Sequence, residues 1–270
     1  MKISVMSLFR NSEETIHSCL ERLEKLENFT NASFEYFFYE NDSTDRTLDI
    51  LKTWMTSKVG NVFSEKLNAP KFGSVTSEQR VQLMAYYRNK LLNSVKPLSS
   101  DFTVIFDSDV IFQEDIINKY LTYFSQDVAM LTPNIKQNIK CKMCNCGKDS
   151  YYDSWALIDR LGNFCMTWSH NPFYDQEDRD RWENGVPVQV YTAFGGFCIV
   201  KSQYLNQCNW AVNKGTCEHW GLCHSLNNYG KILAIPDIET SVHIPQSVIS
   251  GIKASSINNL INFQRDKMNG

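Results

Sequence analysis

Apolar residues along the chain follow two periods, and each period predicts one kind of element. Short apolar runs rich in β-branched and aromatic residues predict strands over residues 2–9, 34–39, 102–106, 128–133, 188–191 and 231–235. Apolar residues three or four positions apart predict helices over residues 13–27, 47–56, 78–95 and 114–124. Residues 57–78 carry turn formers and predict irregular structure. The alternation predicts an α/β fold with a mostly parallel central sheet flanked by helices.

The strand over residues 102–106 leads directly into two carboxylates, Asp107 and Asp109, separated by Ser108. Open α/β sheets bind ligands at the carboxyl ends of their strands, so this pair is expected at the rim of the sheet. Alternate side chains of an extended segment point the same way, and a bend at Ser108 brings both carboxylates towards one cation. Such oxygen ligands suit Mn²⁺ or Mg²⁺. We therefore predict a divalent metal site here, although an isolated Asp-x-Asp is also common in solvated turns.

Charged residues after the first two strands predict contacts with a nucleotide. Arg10 ends the first strand, and Arg80 and Arg88 lie on the helix over residues 78–95. Arginines bind diphosphates through paired N–H groups, although on helices they are commonly solvated. Glu40 and Asp42 form an acidic turn after the second strand, where dinucleotide folds place an acidic residue on the ribose. The alternative is that this turn only caps the next helix.

Three later motifs supply further candidates. Gly195–Gly196 lies between two apolar segments, and either relieves a tight bend or lets backbone amides approach a sugar. Glu218 precedes an imidazole and an aromatic ring in the sequence CEHWG, which a polar surface with a packed Trp would also explain. His243 follows the last strand, and becomes a third metal ligand if it faces the Asp pair.

The chain has nine cysteines, and this odd number without a secretory signal favours a reducing compartment with mostly free thiols. Cys141, Cys144 and Cys146 cluster in a polar loop, with Cys165 downstream. Zinc could bind there, but the spacing lacks a second clear pair. We therefore favour free thiols in a variable loop.

Bulk properties exclude several classes of protein. The net charge is −3 and no long basic run occurs, so a nucleic-acid groove has no electrostatic support. No apolar stretch reaches membrane-spanning length, and residues 1–10 become polar too soon for a signal peptide. We expect a cytoplasmic protein without an integral membrane segment. The 270 residues show no repeat or linker and predict one domain.

Several motifs occur in an order that resembles a known family. They are Arg10, FFYENDSTDRT (37–47), YYRNKLL (86–92), DSD (107–109), YYDSWAL (151–157), AFGGFCIV (193–200) and CEHWGL (217–222). Together they resemble the fungal capsule-associated α-1,3-mannosyltransferase family, and their order is that of GT-A fold glycosyltransferases in general. The similarity covers residues 2–245. We expect no N-terminal membrane anchor of the kind that a Golgi enzyme carries.

The resemblance implies a metal-dependent glycosyltransferase that moves a sugar from GDP-mannose or a UDP-sugar to a glycan acceptor, with Mn²⁺ or Mg²⁺ as cofactor. It implies a GT-A domain whose residues 1–110 bind the nucleotide sugar, whose residues 111–245 bind the acceptor and carry catalysis, and whose residues 246–270 form a tail. The implied metal ligands are Asp107, Asp109 and His243. The implied donor-binding residues are Arg10, Glu40, Asp42, Arg80, Arg88, Asp107, Ser108, Gly195 and Gly196.

Stereochemistry decides whether a catalytic base is needed. An inverting enzyme requires a carboxylate that deprotonates the acceptor hydroxyl, and the candidates are Glu218 and Asp153, the latter among aromatics able to stack on a sugar. A retaining enzyme needs no such base, and the sequence leaves both open. The alternatives are an inactive sugar- or nucleotide-binding protein on the same fold, and a sugar nucleotidyltransferase. The latter should carry a Gly-rich basic signature after the first strand, where LFRNSEET stands instead.

Overall fold

The computed structural model describes residues 1–72, 76–250 and 254–269. Its strands in chain order are β1 (Lys2–Phe9), β2 (Ser33–Asn41), β3 (Gly60–Glu65), β4 (Phe102–Asp107), β5 (Val128–Lys140), β6 (Asp149–Tyr151), β7 (Ile158–Asp159), β8 (Val188–Thr192), β9 (Phe197–Lys201) and β10 (Lys231–Val242). Its helices are α1 (Glu13–Phe29), α2 (Thr47–Met55), α3 (Glu78–Val95), α4 (Ile116–Leu121), α5 (Gln176–Glu183), α6 (Ser202–Leu205), α7 (His219–Leu226), α8 (Gln246–Ser250) and α9 (Ala254–Asn269).

A mixed sheet runs through the described residues in the order β3-β2-β1-β4-β9-β5-β10-β8-β7, with β6 beside β5. The pairs β3–β2, β2–β1, β1–β4 and β5–β10 are parallel. Strand β9 is antiparallel to both β4 and β5, so β5 and β10 run in the same direction as β1 to β4. The α/β prediction is confirmed, with β6, β8 and β9 as the strands that make the sheet mixed.

Helices cover the sheet because their apolar faces match its buried positions. Helix α1 buries Ile16, Cys19, Leu20, Leu23 and Leu26, the residues whose spacing predicts it. Helix α3 buries six residues, and Arg88 is among them. An arginine in such a position must be paired, because an isolated charge in a protein interior is costly. No helix in the described part of the chain has the length and apolar character needed to span a bilayer.

Strand boundaries differ from the prediction in two places. Residues 60–65 form β3, which pairs with β2 at the edge of the sheet; no residue of this strand is fully buried, so its apolar pattern is weak. The predicted strands over residues 128–133 and 231–235 each stop at a proline but continue in the structure as β5 and β10. A register shift between Ile235 and Glu239 lets the pair pass Pro236, because a bulge removes the need for a ladder hydrogen bond.

Two further segments differ from their predicted form. Helix α4 is shorter than the predicted 114–124, because turns flank it on both sides. The predicted tail contains α8 and α9, with residues 251–253 and 270 outside the described residues.

Candidate active site

A deep cleft lies where strand order reverses, between the carboxyl ends of β1 and β4. Leu8 of β1 pairs with Asp107 of β4, so the residues that follow these strands enter the same space. This reversal point is where open α/β sheets bind ligands. The cleft has a volume of about 820 Å³, enough for a ligand of nucleotide size. Its lining includes Arg10, Asn11, Asn41, Phe72, Arg80, Arg88, Asp107, Ser108, Asp109, Tyr152, Asp153, Trp155, Phe194, Gly196, Glu218 and His219.

Arg88 lies at the base of the cleft and joins two acidic side chains. Its Nη2 donates to Asp107 Oδ1 at 2.9 Å, and its Nε donates to Glu218 Oε1 at 3.3 Å. The Arg88 side chain is only 3% exposed. Burial disfavours its charge, but the Asp107 and Glu218 carboxylates outweigh that effect and raise the pKa of Arg88 above its usual value. Arg88 therefore fixes the positions of two candidate site residues that are far apart in sequence.

His219 lies beside Glu218, and the hydrogen-bond partners of its ring determine its tautomer. Its ring stacks on Phe194 with a centroid distance of 3.7 Å, and Trp210 Nε1 donates to its Nδ1 at 3.4 Å. Burial and the nearby Arg88 charge hold the pKa of His219 well below its usual value. A neutral imidazole that accepts at Nδ1 carries its proton on Nε2, which faces Glu218 Oε1 at 3.4 Å. His219 is a site residue to which the sequence assigned no role.

Asp153 forms the opposite wall and differs from Glu218 in its partners. Its Oδ2 accepts a hydrogen bond from the Gly195 N–H at 2.9 Å. Burial raises the pKa of Asp153 to about 7, against the effect of the Gly195 hydrogen bond and with help from the Asp107 and Glu218 charges. A carboxyl group with this pKa can exchange a proton near neutral pH.

The Gly195–Gly196 turn connects the walls of the cleft. Both residues have positive φ, 64° and 60°, a conformation that costs glycine little. A Cβ on Gly196 would lie 2.5 Å from Val110 Cγ2, so the backbone approach also requires glycine. The Gly196 carbonyl accepts from the Asp107 N–H at 2.8 Å. The turn thus holds Asp107 through one residue and Asp153 through the other.

Asp109 and His243 lie on adjoining segments that the Ile111–Ser241 bridge joins. Asp109 is exposed, and partial desolvation together with the Asp107 charge raises its pKa above the usual value. Ile111 and Ser241 form an antiparallel bridge with N–O distances of 2.8 and 2.9 Å. His243 follows two residues after Ser241, and no described group of metal-ligand atoms brings it together with Asp107 and Asp109. His243 is exposed and is not among the residues that line the cleft.

Asp42 and Glu40, the two acidic residues predicted to bind the donor after β2, accept hydrogen bonds from other groups of the protein. Asp42 accepts hydrogen bonds from the N–H groups of residues 67, 68 and 69 at 2.7, 2.7 and 3.0 Å. Glu40 accepts from the Ser43 N–H at 2.8 Å and from the Ser64 hydroxyl at 2.6 Å. Neither residue lines the cleft, whereas the neighbouring Asn41 does. Their role in donor binding stays a prediction.

The predicted arginines take different positions. Arg10 lines the cleft, and its Nη2 donates to the Ala69 carbonyl at 2.7 Å. It therefore fastens the same 67–69 segment that Asp42 holds. Arg80 lines the cleft from the first turns of α3. Ser108 and Gly196 also line it, while Gly195 contributes its N–H to Asp153.

Comparison with known proteins gives a family. Residues 2–228 match the family model described as cryptococcal mannosyltransferase 1. The chain belongs to this family. It is a glycosyltransferase, and the resemblance seen in the sequence is confirmed. No curated protein matches the chain significantly.

Solved structures share the fold with this member of the cryptococcal mannosyltransferase 1 family. TarS of S. aureus in complex with UDP is 16% identical, with a TM-score of 0.56 over 98% of this chain and 65% of that one. The mannosyltransferase PcManGT of Pyrobaculum calidifontis, in complex with GDP-Man and Mn²⁺, is 12% identical, with a TM-score of 0.52 over 98% of this chain and 69% of that one. The chain thus spans about two thirds of these relatives, and the GT-A fold is confirmed.

Proposed function

We propose that this glycosyltransferase moves a mannosyl residue from GDP-mannose to a glycan acceptor with the help of Mn²⁺ or Mg²⁺. The family description and the GDP-Man and Mn²⁺ bound to PcManGT support this donor. A UDP-sugar is the second candidate, because TarS binds UDP. The observation that carries the proposal is the pair Asp107 and Asp109 in the cleft, where strand order reverses.

The donor set fits a hard divalent cation. Asp107 and Asp109 lie close enough for their charges to repel, and among the described ion pairs Arg88 offsets Asp107 but none involves Asp109. Two carboxylates with one compensating cation favour the binding of another. We propose Asp107 and Asp109 as metal ligands, with His243, two residues beyond the Ile111–Ser241 bridge, as the third. A bound metal ion would stabilise negative charge on the departing nucleoside diphosphate.

Other side chains of the cleft suit the diphosphate and the sugar of the donor. Arg10 and Arg80 line the cleft and would bind diphosphate oxygens through their N–H groups. Tyr152 and Trp155 present aromatic rings on the wall that carries Asp153, and such rings pack against the apolar face of a sugar. The acceptor hydroxyl would then meet the donor between this wall and the Asp107 side.

Asp153 is the better candidate for the base of an inverting reaction. Its pKa of about 7 lets it take up a proton at neutral pH. Glu218 Oε1 already faces both Arg88 and His219, and this arrangement suits a positioning residue. In a retaining reaction no base is required, and Asp153 would only bind the acceptor or stabilise charge.

Measuring the product of a coupled reaction tests the proposal. Purified protein is incubated with GDP-mannose or a UDP-sugar, Mn²⁺ and a panel of mannose-containing oligosaccharides. We expect release of nucleoside diphosphate that depends on metal and acceptor, together with a product heavier by one hexose. Consumption of a nucleoside triphosphate with a sugar phosphate would support a nucleotidyltransferase instead. Tight nucleotide-sugar binding without turnover would support an inactive binding protein.

A further inference from the structure

A second cluster of metal-ligand side chains lies outside the cleft, in the loop between β5 and β6. Cys141, Cys144, Cys146 and His170 bring their sulfur and nitrogen atoms within 4.8 Å of one another. The fourth member comes from a different loop, 24 residues beyond Cys146. Cys165, the downstream cysteine considered in the sequence, is not part of the group found in the described residues. All three thiols are free.

The distances agree with the edges of a coordination tetrahedron. Zinc–sulfur bonds of about 2.3 Å and zinc–nitrogen bonds of about 2.1 Å imply S···S edges of roughly 3.8 Å and S···N edges of roughly 3.6 Å. Cys141 Sγ and Cys144 Sγ are 3.6 Å apart. His170 Nδ1 lies 3.4, 3.7 and 3.6 Å from the sulfurs of Cys141, Cys144 and Cys146. A disulfide would require about 2.05 Å between sulfurs.

The histidine is oriented by a carboxylate on its far side. His170 Nε2 lies 2.8 Å from Glu183 Oε1 at the end of α5. A proton on Nε2 leaves the Nδ1 lone pair directed at the three sulfurs, which is the outer-shell arrangement typical of metal-bound histidines. Glu183 is held in turn, because Asn171 Nδ2 donates to its Oε1 at 3.0 Å and Lys148 Nζ to its Oε2 at 3.1 Å.

The backbone shapes the loop to suit this arrangement. The Cys141 N–H donates to the Lys148 carbonyl at 2.9 Å and closes the loop on itself. Gly147 has a φ of 69°, which turns the chain back immediately after Cys146. A left-handed residue at this position favours glycine. The three thiols thus face inward, towards the space that His170 enters from the neighbouring segment.

We propose that Cys141, Cys144, Cys146 and His170 bind one structural zinc ion. Thiolate and imidazole ligands suit zinc, whereas Mn²⁺ and Mg²⁺ prefer oxygen, so this site is distinct from the one at Asp107 and Asp109. Four protein ligands leave no open position, as is usual for structural zinc. Binding releases up to three thiol protons to solvent. This proposal replaces the interpretation of the cysteines as free thiols.

The location of the site gives the zinc ion a defined task. It would join the loop after β5, which precedes β6 in the sequence, to the segment before α5, which follows β6. Strand β6 is tied to that segment by the Tyr151 N–H, which donates to the Ser169 carbonyl at 2.8 Å. Tyr152 and Asp153 follow directly, so zinc would brace the wall of the cleft from outside.

Metal content measured by mass spectrometry provides the first test. The full-length protein, purified without chelators from zinc-containing medium, should hold about one zinc per chain. Cys144→Ser should reduce this to near zero, and because Cys144 is exposed the exchange disturbs little packing. Asp109→Ala, an exposed substitution in the cleft, is the control and should retain zinc. Retention of zinc by Cys144→Ser, or its loss in Asp109→Ala, would overturn the assignment.

Cobalt substitution tests the ligands without any mutation. Co²⁺ added to the demetallated protein should give a thiolate-to-metal charge-transfer band and the strong visible bands of a tetrahedral site. Glu183→Gln should weaken zinc binding by about 10- to 100-fold in a competition with a chromogenic chelator, whereas Glu177→Gln on the same helix should not. Absence of the charge-transfer band would refute the site, and so would a disulfide among the three loop cysteines in freshly purified protein.

Discussion

Two groups of carboxylates, in segments that follow strands of one sheet, have opposite surroundings. After β2, Asp42 and Asp45 accept hydrogen bonds from backbone N–H groups, three from residues 67–69 and two from Glu13 and Thr47. These donors outweigh the effect of burial and lower the pKa of both residues. In the cleft, desolvation and, to a smaller extent, neighbouring negative charges raise the pKa of Asp109 and Asp153.

We infer that the direction of the pKa shift distinguishes aspartates that stabilise the fold from aspartates that bind ligands or protons. A carboxylate that backbone donors stabilise gains little from a ligand, while one that is shielded from water and repelled by its neighbours gains from a cation or a proton. The four predictions that follow test this contrast, first on activity, from the larger effect to the smaller, and then on stability.

The largest effect is expected at Asp109. Asp109→Asn should lower kcat/KM by on the order of a thousandfold, because the loss of a metal ligand removes several kcal/mol of charge stabilisation. Asp45→Asn is the matched control in the other group and should keep most of the activity. The measurement is steady-state release of nucleoside diphosphate at several Mn²⁺ concentrations. Equal activity of the two variants would contradict the distinction between Asp109 as a metal ligand and Asp45 as a structural residue.

A smaller effect is expected at Asp153. Asp153→Asn should reduce turnover about a hundredfold or more and spare donor affinity, as for a positioned proton acceptor. The wild-type rate should rise as the pH increases through about 7, because the base must be deprotonated. Asp107 from β4 and Glu218 from the start of α7 face this group and keep it protonated below that pH. An inactive Glu218→Gln beside an active Asp153→Asn would make Glu218 the base, and activity in both would favour a retaining reaction.

At Asp42 we expect an effect on stability. Asp42→Ala removes the acceptor of three backbone N–H groups and should lower the free energy of unfolding by about 2–3 kcal/mol. Because the pKa of Asp42 is lowered in the folded chain, this stabilisation is present above its unfolded value of about 4 and is lost as the pH falls below it. Urea unfolding at pH 7 and pH 3 provides the comparison. If Asp42→Ala weakens nucleotide binding and leaves stability unchanged, the result would support the prediction that Asp42 binds the donor.

The last prediction concerns the stability of Asp153→Asn as the pH changes. A raised pKa means that the folded chain binds this proton up to a pH of about 7, whereas the unfolded chain releases it near pH 4. Wild-type stability therefore falls across this interval relative to the variant. We expect the variant to gain up to about 4 kcal/mol over the wild type between pH 4 and pH 8, measured by thermal unfolding. A constant difference would show that Asp153 titrates normally.

Much of the fold follows from local pattern. The spacing of Ile16, Cys19, Leu20, Leu23 and Leu26 defines α1, and the apolar run before Asp107 defines β4. Strand β3 escapes prediction because an edge strand needs no apolar alternation. Strands β5 and β10 extend past their prolines because a bulge absorbs them. Both exceptions depend on pairing with another strand, which local sequence does not encode.

The candidate site likewise contains residues that local sequence predicts and residues that depend on contacts between distant parts of the chain. Asp107 and Asp109 are predictable because the strand that carries them is. The contact between Arg88 and Glu218 joins residues 130 positions apart, and the sequence gives no sign that this helical arginine is buried. His170 escaped notice for a similar reason, since it lies on a separate loop from the cysteines. A search for histidines within 30 residues of a Cys-x-x-Cys-x-Cys motif would have found it.

The Gly195–Gly196 turn bears on how such an enzyme changes its substrates. Two successive residues hold Asp107 and Asp153 through main-chain hydrogen bonds of 2.8 and 2.9 Å. In the proposed reaction, the spacing between the donor side and the acceptor side would therefore be set by the backbone. Phe72, Tyr152 and Trp155 also line the cleft, and neither glycine of the turn holds them. Substitutions at these three residues would then change the acceptor while Asp107 and Asp153 keep their positions.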